Sequence, residues 1–353
     1  MKMKATRQYY QNGNASISID VDGTRIIQYP SGEKLTLEYP LNIDIRLSNR
    51  CPLGFNPKTS KAVCTFCHES ARTDGVVGDI ERLKNILDTQ LPKDFAIELA
   101  VGVNEMLPEI ADFFAWATKR GFIINATVNQ LTVSSNRQST QYVTQLIQDG
   151  NIKGLGLSFR NVDTFTKVPK EIIEYGNTVV HVIAGIDDIE EVKKLAKMGV
   201  KKVLVLGEKE FGFNVDSFHN TERIQNRKIW LWKIHELFKL FDVVSFDNLA
   251  LEQLKVKRFF LDEKEWNTTY QGEHSFYINA VDGYFAPSSR SYYKVGFDKA
   301  TIQSFFKEVI EHDCEAGSAL KESQSSLDFA DSIAHNKDKA VAVKNKVFIL
   351  SVA

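Results

Sequence analysis

The chain has almost no net charge to offer a partner: 44 Lys and Arg stand against 45 Asp and Glu, a formal −1 at pH 7. That argues against a strongly electrostatic nucleic-acid binder, while leaving room for a local basic patch. No stretch reaches the roughly eighteen consecutive apolar residues that a membrane span needs, so no membrane association is expected. The first residues, MKMKATRQYYQNGNAS, carry some positive charge with no apolar core behind it, unlike a signal peptide. No internal repeat or heptad run is present beyond the strand–helix alternation described below. Cysteine is scarce, four in 353 residues. Clustered cysteines in a chain without an export signal read as metal ligands in a reducing compartment, here the cytoplasm. A chain of this length can bury a full core as one large domain or two modest ones.

Three of the four cysteines lie within 17 residues, Cys51, Cys64 and Cys67, spaced Cys-x12-Cys-x2-Cys; Cys314 stands alone. An alternating apolar run, LNIDIRL, ends just before the first of them. Three thiolates without an obvious fourth ligand suggest an iron–sulfur cluster with one iron left open. The alternative is zinc, which in a structural site wants four protein ligands: the three cysteines with His68 or Cys314. In that case the chain would be a zinc-stabilised protein that binds a nucleic acid or another partner through its C-terminal part.

Residues 15–40 alternate with a period of two. SISIDV, Asp22-Gly23 and TRIIQY form a strong hairpin signal, and Pro30-Ser31-Gly32 turns the chain again into KLTLEY. From residue 41 the rhythm becomes strand, loop, helix, repeated. LNIDIRL, FAIELAVG, FIINATV, GLGLSF, TVVHVIAG and KKVLVLG are six predicted strands, most of them the continuous apolar runs of parallel strands covered by helices. Between them DIERLKNILDTQ places residues 80, 83, 86 and 87 on one helical face, and MLPEIADFFAWATKRG is a helix stopped by Gly121. STQYVTQLIQDG and DDIEEVKKLAKMG are further helices. This alternation predicts an α/β fold of βα units. A partial barrel, a complete eight-unit barrel and a doubly wound sheet all satisfy it. Beyond residue 242 the pattern loosens: DVVSFDNLALEQL is a strand and helix, SFYINAVDGYFAPSS a hairpin around Asp282-Gly283, and DKATIQSFFKEVIEH an amphipathic helix. Residues 315–345 are polar.

Cys64-x-Phe66-Cys67, following a first strand, resembles the Cys-x-aromatic-Cys half of the signature of the radical S-adenosylmethionine (radical SAM) family. The usual family spacing has three residues between the first two cysteines, and this chain has twelve; longer loops occur in the family. The resemblance implies a partial (βα)6 TIM-like barrel over residues 41–241, preceded by an N-terminal β-hairpin segment, 1–40. An irregular extension, 242–353, would close the barrel and shape the substrate pocket. It implies that Cys51, Cys64 and Cys67 hold a 4Fe–4S cluster, that S-adenosylmethionine chelates the fourth iron, and that Phe66 packs by its adenine. A reductant such as flavodoxin or ferredoxin is an implied partner. Gly102-Val103-Asn104-Glu105 resembles the family's Gly-Gly-Glu-Pro motif, so Gly102 and Glu105 are candidates for the amino group of S-adenosylmethionine. As a plain strand-to-helix turn, the same string would place Glu105 where the helix dipole favours an acid. Asn129, Ser158 and Arg160 close the third and fourth strands, where barrels carry their active sites. Arg160 suits a carboxylate because its fork pairs in two bonds.

The stretches from Val203 to Gly212, Ser245 to Gln253 and Tyr277 to Ser289 are similar to those of functionally uncharacterised stand-alone radical SAM proteins of phages and Firmicutes. Lys209, Asp247, Asn248, Gln253 and Ser289 are the candidate substrate residues, because polar groups recur there between apolar strands. The implied activity is hydrogen-atom abstraction from an unknown small-molecule, nucleotide or peptide substrate. A cysteine-rich C-terminal extension, common in peptide-modifying relatives, is absent. His181, inside an apolar strand, reads as a core residue, and the Phe238, Phe241 and Phe246 group as core packing.

Overall fold

The computed structural model describes residues 8–20, 24–259, 274–312 and 347–349. Strands β1 (Gln8–Asn12), β2 (Ala15–Ile19) and β3 (Arg25–Gln28) form an antiparallel sheet. The expected Asp22-Gly23 turn lies outside the described residues. KLTLEY, expected to add a strand, does not. Its backbone is held by two side chains: Asn14 Oδ1 accepts from Thr36 N at 2.8 Å, and Asn12 Oδ1 accepts from Glu38 N and Tyr39 N at 2.9 and 3.0 Å. Asparagine amides here do the work of a ladder, which alternation cannot reveal.

The main sheet begins with β4 (Asn42–Arg46). A small hairpin, β5 (Arg50–Asn56) and β6 (Lys61–Ala62), follows outside it. Then come β7 (Glu98–Val103), β8 (Ile123–Asn129), β9 (Gly154–Ser158), β10 (Thr178–Ile183) and β11 (Lys202–Leu206). With β4 these six are parallel and pair in chain order. The sheet extends further than six strands. β12 (Val243–Phe246) pairs parallel beyond β11, while β13 (Ser275–Asn279) pairs parallel on the other side of β4. β14 (Tyr284–Ala286) and β15 (Val295–Gly296) continue antiparallel from β13, and β16 (Val347–Ile349) lies beside β12, giving eleven strands. Both β12 and the hairpin around Gly283 match their sequence signals.

Helices cover the outer face for legible reasons. Ile80–Gln90 is capped by Asp79, which accepts from Arg82 N at 2.9 Å, and buries Ile80, Leu83, Ile86 and Leu87, the face its periodicity predicts. Pro108–Arg120 starts with proline in its first turn and ends at Gly121, whose φ of 102° few other residues adopt. Outward positions of the strands, such as Ile124, Ala126 and Val128, are buried beneath these helices.

The sheet curls. In a flat sheet β4 and β11, five strand spacings apart, would be separated by roughly 24 Å. Instead Lys209, three residues past β11, lies in the electrostatic field of Asp44 within β4, and Phe213 N beyond it donates to Cys67 O of the loop after β4 at 3.0 Å. The curl makes a large α/β sheet that resembles a partial barrel, with an inner face carrying Asp44, Arg46, Asn125, Thr127 and His181. At its lower end Arg25 from the small sheet pairs with Glu98 at 3.3 Å, and Asn125 Nδ2 donates to the same carboxylate. No helix among the described residues is long and apolar enough to cross a membrane.

Candidate active site

Because the six strands are parallel, the segments after β4, β7, β8, β9 and β11 emerge at one end of the sheet, and the cysteine loop lies there. Its twelve-residue spacing is explained by the β5–β6 hairpin. Cys51 sits in β5, the chain turns through residues 57–60, and Cys64 N returns to donate to Leu53 O at 2.9 Å. The loop is clasped from behind: Phe55 N donates to Ala71 O and Thr73 N to Phe55 O, both at 2.9 Å. Cys51 is buried, and Cys64 and Cys67 are half-buried. Burial raises all three thiols above their ordinary value, Cys64 to about 12. The charge of Cys67 raises Cys51 and Cys64 further, so the thiols lie within electrostatic reach of one another. Arg160 opposes the shift at Cys64, and Arg46 at Cys67. Among the described residues no three His, Cys, Asp or Glu side chains converge as on a single metal ion. His68, a fourth donor in the zinc alternative, has Nε2 3.5 Å from Glu69 Oε1 instead. Cys314 lies outside the described residues.

The other predicted residues fall around this loop. Arg160 lies over the Phe66 ring at 4.8 Å, and Arg223 lies 6.0 Å from the ring centre. Arg160 also donates to Val63 O at 3.1 Å, while its backbone N donates to Gln130 Oε1 at 2.8 Å. It thereby ties the cysteine loop to the end of β9. Glu105 Oε2 lies 2.9 Å from Arg50 Nε, without hydrogen-bond alignment. A side chain built at Gly102 would meet nothing within 4 Å, so the space above β7 is open. Asn129 caps the helix after it, accepting from Leu131 N at 2.9 Å. Ser158 is level with Asn129 on one side and His181 on the other. His181 therefore faces the inside of the curl rather than the outer core. Its ring abuts Gly156, where a Cβ would stand 2.4 Å from His181 Cε1, and burial lowers it to about 4.

The substrate candidates divide. Asp247 Oδ1 accepts from Gly207 N at 2.9 Å and Ala250 N at 2.7 Å, so it fixes the start of the helix Asn248–Gln253. Gln253 exchanges two hydrogen bonds of 2.9 Å with the backbone of Glu208. Both hold the loop after β11 in place. Asn248 opens that helix, and Ser289 is half-buried after β14. Lys209 is the one that reaches the centre, within the field of Arg290, Asp247, Glu69 and Asp44.

Sequence reasoning missed Asp44, Arg46, Glu69 and Arg290. Arg46 donates to Glu69 O at 2.9 Å, and its Nε lies 3.0 Å from Glu69 Oε2. Against the pull of burial, His68 and Arg46 hold Glu69 down at about 2. Burial pushes Asp44 up to about 8 despite Lys209 nearby, and its Oδ2 is buried without a hydrogen-bond partner. The available signal was an acid and a base, Asp44 and Arg46, placed two apart inside LNIDIRL and so on one face of a strand.

No protein-family model matches the chain, and no curated protein matches it. Solved structures do. The crystal structure of Streptococcus suis SuiB aligns over 87% of this chain and 88% of its own, at 11% identity and a TM-score of 0.52. SuiB bound to its precursor peptide SuiA aligns over 76% of this chain at 12% identity and a TM-score of 0.51. SuiB bound to S-adenosylmethionine aligns over 76% at 13% identity and a TM-score of 0.47. In the last two comparisons the chain spans 65% and 66% of the SuiB chain. At this identity the likeness is one of fold: the large curled α/β sheet is an architecture that this chain shares with SuiB.

Proposed function

We propose that this chain is a radical SAM enzyme, in which Cys51, Cys64 and Cys67 hold a 4Fe–4S cluster on a (βα)6-type barrel spanning residues 41–241. When bound, the cluster supplies the electron that splits S-adenosylmethionine into methionine and a 5′-deoxyadenosyl radical able to take a hydrogen atom from a substrate. The observation that carries the reading is the cysteine hairpin. It sits at the C-terminal end of the first parallel strand and brings three thiols into one another's field. His68, the neighbouring fourth donor, faces Glu69 instead, and a donor set of three thiols in one loop suits an open cluster better than a four-ligand structural zinc site.

The chain's own residues have definable tasks. Arg160 and Arg46 offset thiolate charge at Cys64 and Cys67. The open space above Gly102 leaves room for the methionyl chain of S-adenosylmethionine, with Glu105 to receive its amino group. Phe66, backed by Arg160, lies beside the adenine, and Asn129 and Ser158 sit level with each other for the ribose. From the 242–353 segment, Asp247 and Arg290 lie in the field of Lys209 and would shape the substrate pocket. SuiB has a precursor peptide as a bound partner, so a peptide remains within the substrate range, beside nucleotides and other small molecules. A flavodoxin or ferredoxin would deliver the electron.

Anaerobic reconstitution tests the reading. The wild type should turn brown, take up about four irons and four sulfides per chain, and release 5′-deoxyadenosine and methionine from S-adenosylmethionine under dithionite. Cys64→Ala should abolish cleavage. Cleavage by Cys64→Ala at the wild-type rate would overturn the cluster assignment, and a colourless protein with one zinc would establish the alternative.

A further inference from the structure

Lys209, after β11, and Arg290, after β14, are both half-buried and lie in each other's field. Among the described residues neither side chain makes a hydrogen bond or an ion pair. Two like charges in a partly desolvated space repel each other, and a buried cation is costly unless something negative faces it. Asp247 is the acid that offsets both charges most, yet it forms an ion pair with neither. Glu69 holds Arg46 and faces His68. Asp247 spends Oδ1 on Gly207 N and Ala250 N. Glu252 is exposed, and it influences Arg290 only from beyond ion-pair distance. The remaining acid is Asp44, whose buried Oδ2 has no hydrogen-bond partner.

We propose that Lys209 and Arg290 bind an oxyanion of the substrate, a phosphate or a carboxylate, while Asp44 accepts a hydrogen bond from a donor on the same molecule. This names the substrate class of the site proposed above and rests on that reading. Two cations of different shape suit a compact anion: the ammonium acts as a point charge and the guanidinium as a directional fork. Asp44, kept protonated by its burial, can also turn donor, so its partner can be a hydroxyl as well as an amine or amide. The cysteine loop reaches the same place, since a Cβ on Gly212, three residues past Lys209, would stand 2.6 Å from His68 O, and Phe213 N donates to Cys67 O. An anion held there would set the rest of its molecule beside the proposed cluster. A polar small molecule with an acidic end fits this arrangement, and an apolar one does not.

The test reads binding and requires no turnover. The 353-residue chain, purified anaerobically, is titrated with inorganic phosphate and separately with acetate at constant ionic strength in chloride, followed by calorimetry and by phosphorus line broadening. We expect one of the two anions to bind more tightly than chloride, and Lys209→Met or Arg290→Met to weaken it by roughly tenfold or more. Lys209→Arg should retain most of the affinity. Preference for phosphate assigns a phosphorylated substrate and preference for acetate a carboxylate. If neither anion binds wild-type protein better than chloride, or if both Met variants bind as wild type does, the proposal is wrong. Should the Met variants fail to fold, Lys209→Gln and Arg290→Gln take their place, and wild-type affinity in both overturns the proposal. Failure here leaves deoxyadenosine formation untouched, so it is distinguishable from failure of the radical reading.

Discussion

Gly54→Ala should part the cysteine hairpin from the 71–73 segment that clasps it while leaving the main sheet folded. A Cβ at position 54 would stand 2.3 Å from Ala71 O, 2.5 Å from Ala71 C and 2.7 Å from Arg72 N. All three are backbone atoms, so no side chain can swing aside. Reaching ordinary contact at 3.4 Å requires the two segments to part by about 1 Å. That stretches the Phe55 N–Ala71 O and Thr73 N–Phe55 O bonds, both now 2.9 Å, to lengths at which little attraction survives. Each such bond contributes about 1 kcal/mol net, and overpacking costs about 1–3 kcal/mol. The expected penalty is therefore roughly 3–5 kcal/mol, confined to the loop if the loop can open locally. Two measurements separate the levels: thermal unfolding by circular dichroism reports the main sheet and its helices, and iron stoichiometry after anaerobic reconstitution reports the loop. The expected result is a cooperative melt with iron uptake strongly reduced. If Gly54→Ala loads iron and melts as the wild type does, the close approach is not holding the cysteines in place and the reasoning fails.

Gly102→Ala should leave the melting temperature within about a degree, because the new methyl enters open space; a large loss of stability would show that the space is closed. If the methionyl chain lies there, the same variant should weaken S-adenosylmethionine binding. Phe66→Ala, which removes one aromatic face and keeps all three thiols, should weaken that binding by about 1–2 kcal/mol, or roughly ten- to thirtyfold; unchanged affinity would place the adenine elsewhere. Asp44, with a folded value of about 8 against 3.8 for the free acid, binds a proton in the folded state that the unfolded chain lacks between those limits. Its contribution is complete below pH 3.8 and is lost as the pH rises through 8, so stability should decline over that window. Asp187, raised by burial to about 7, adds to the same slope. Asp44→Asn should flatten the decline in urea midpoints measured from pH 5 to 8; an unchanged slope would assign it to other groups.

Local signals were sufficient wherever a residue's role depends on its neighbours in the chain. The face Ile80, Leu83, Ile86 and Leu87, the stop at Gly121, the six parallel strands and the hairpin at Gly283 were all readable, because periodicity and turn chemistry act over a few residues. That the three cysteines share one loop was legible for the same reason. What joins them was not: a twelve-residue gap is only a length until Lys61 and Ala62 pair back on β5. KLTLEY has the alternation of a strand and lacks a ladder because Asn12 and Asn14, more than twenty residues earlier, take its amides. The centre of the site was hidden most completely. Asp44, Glu69, Lys209 and Arg290 come from four segments spread over nearly 250 positions, and they meet only because the sheet curls until the segments after its first and sixth strands touch. Periodicity specifies which side of a strand faces inward. Which charges then confront one another depends on curvature and on strands contributed from far along the chain, and these arise only when the whole sheet packs.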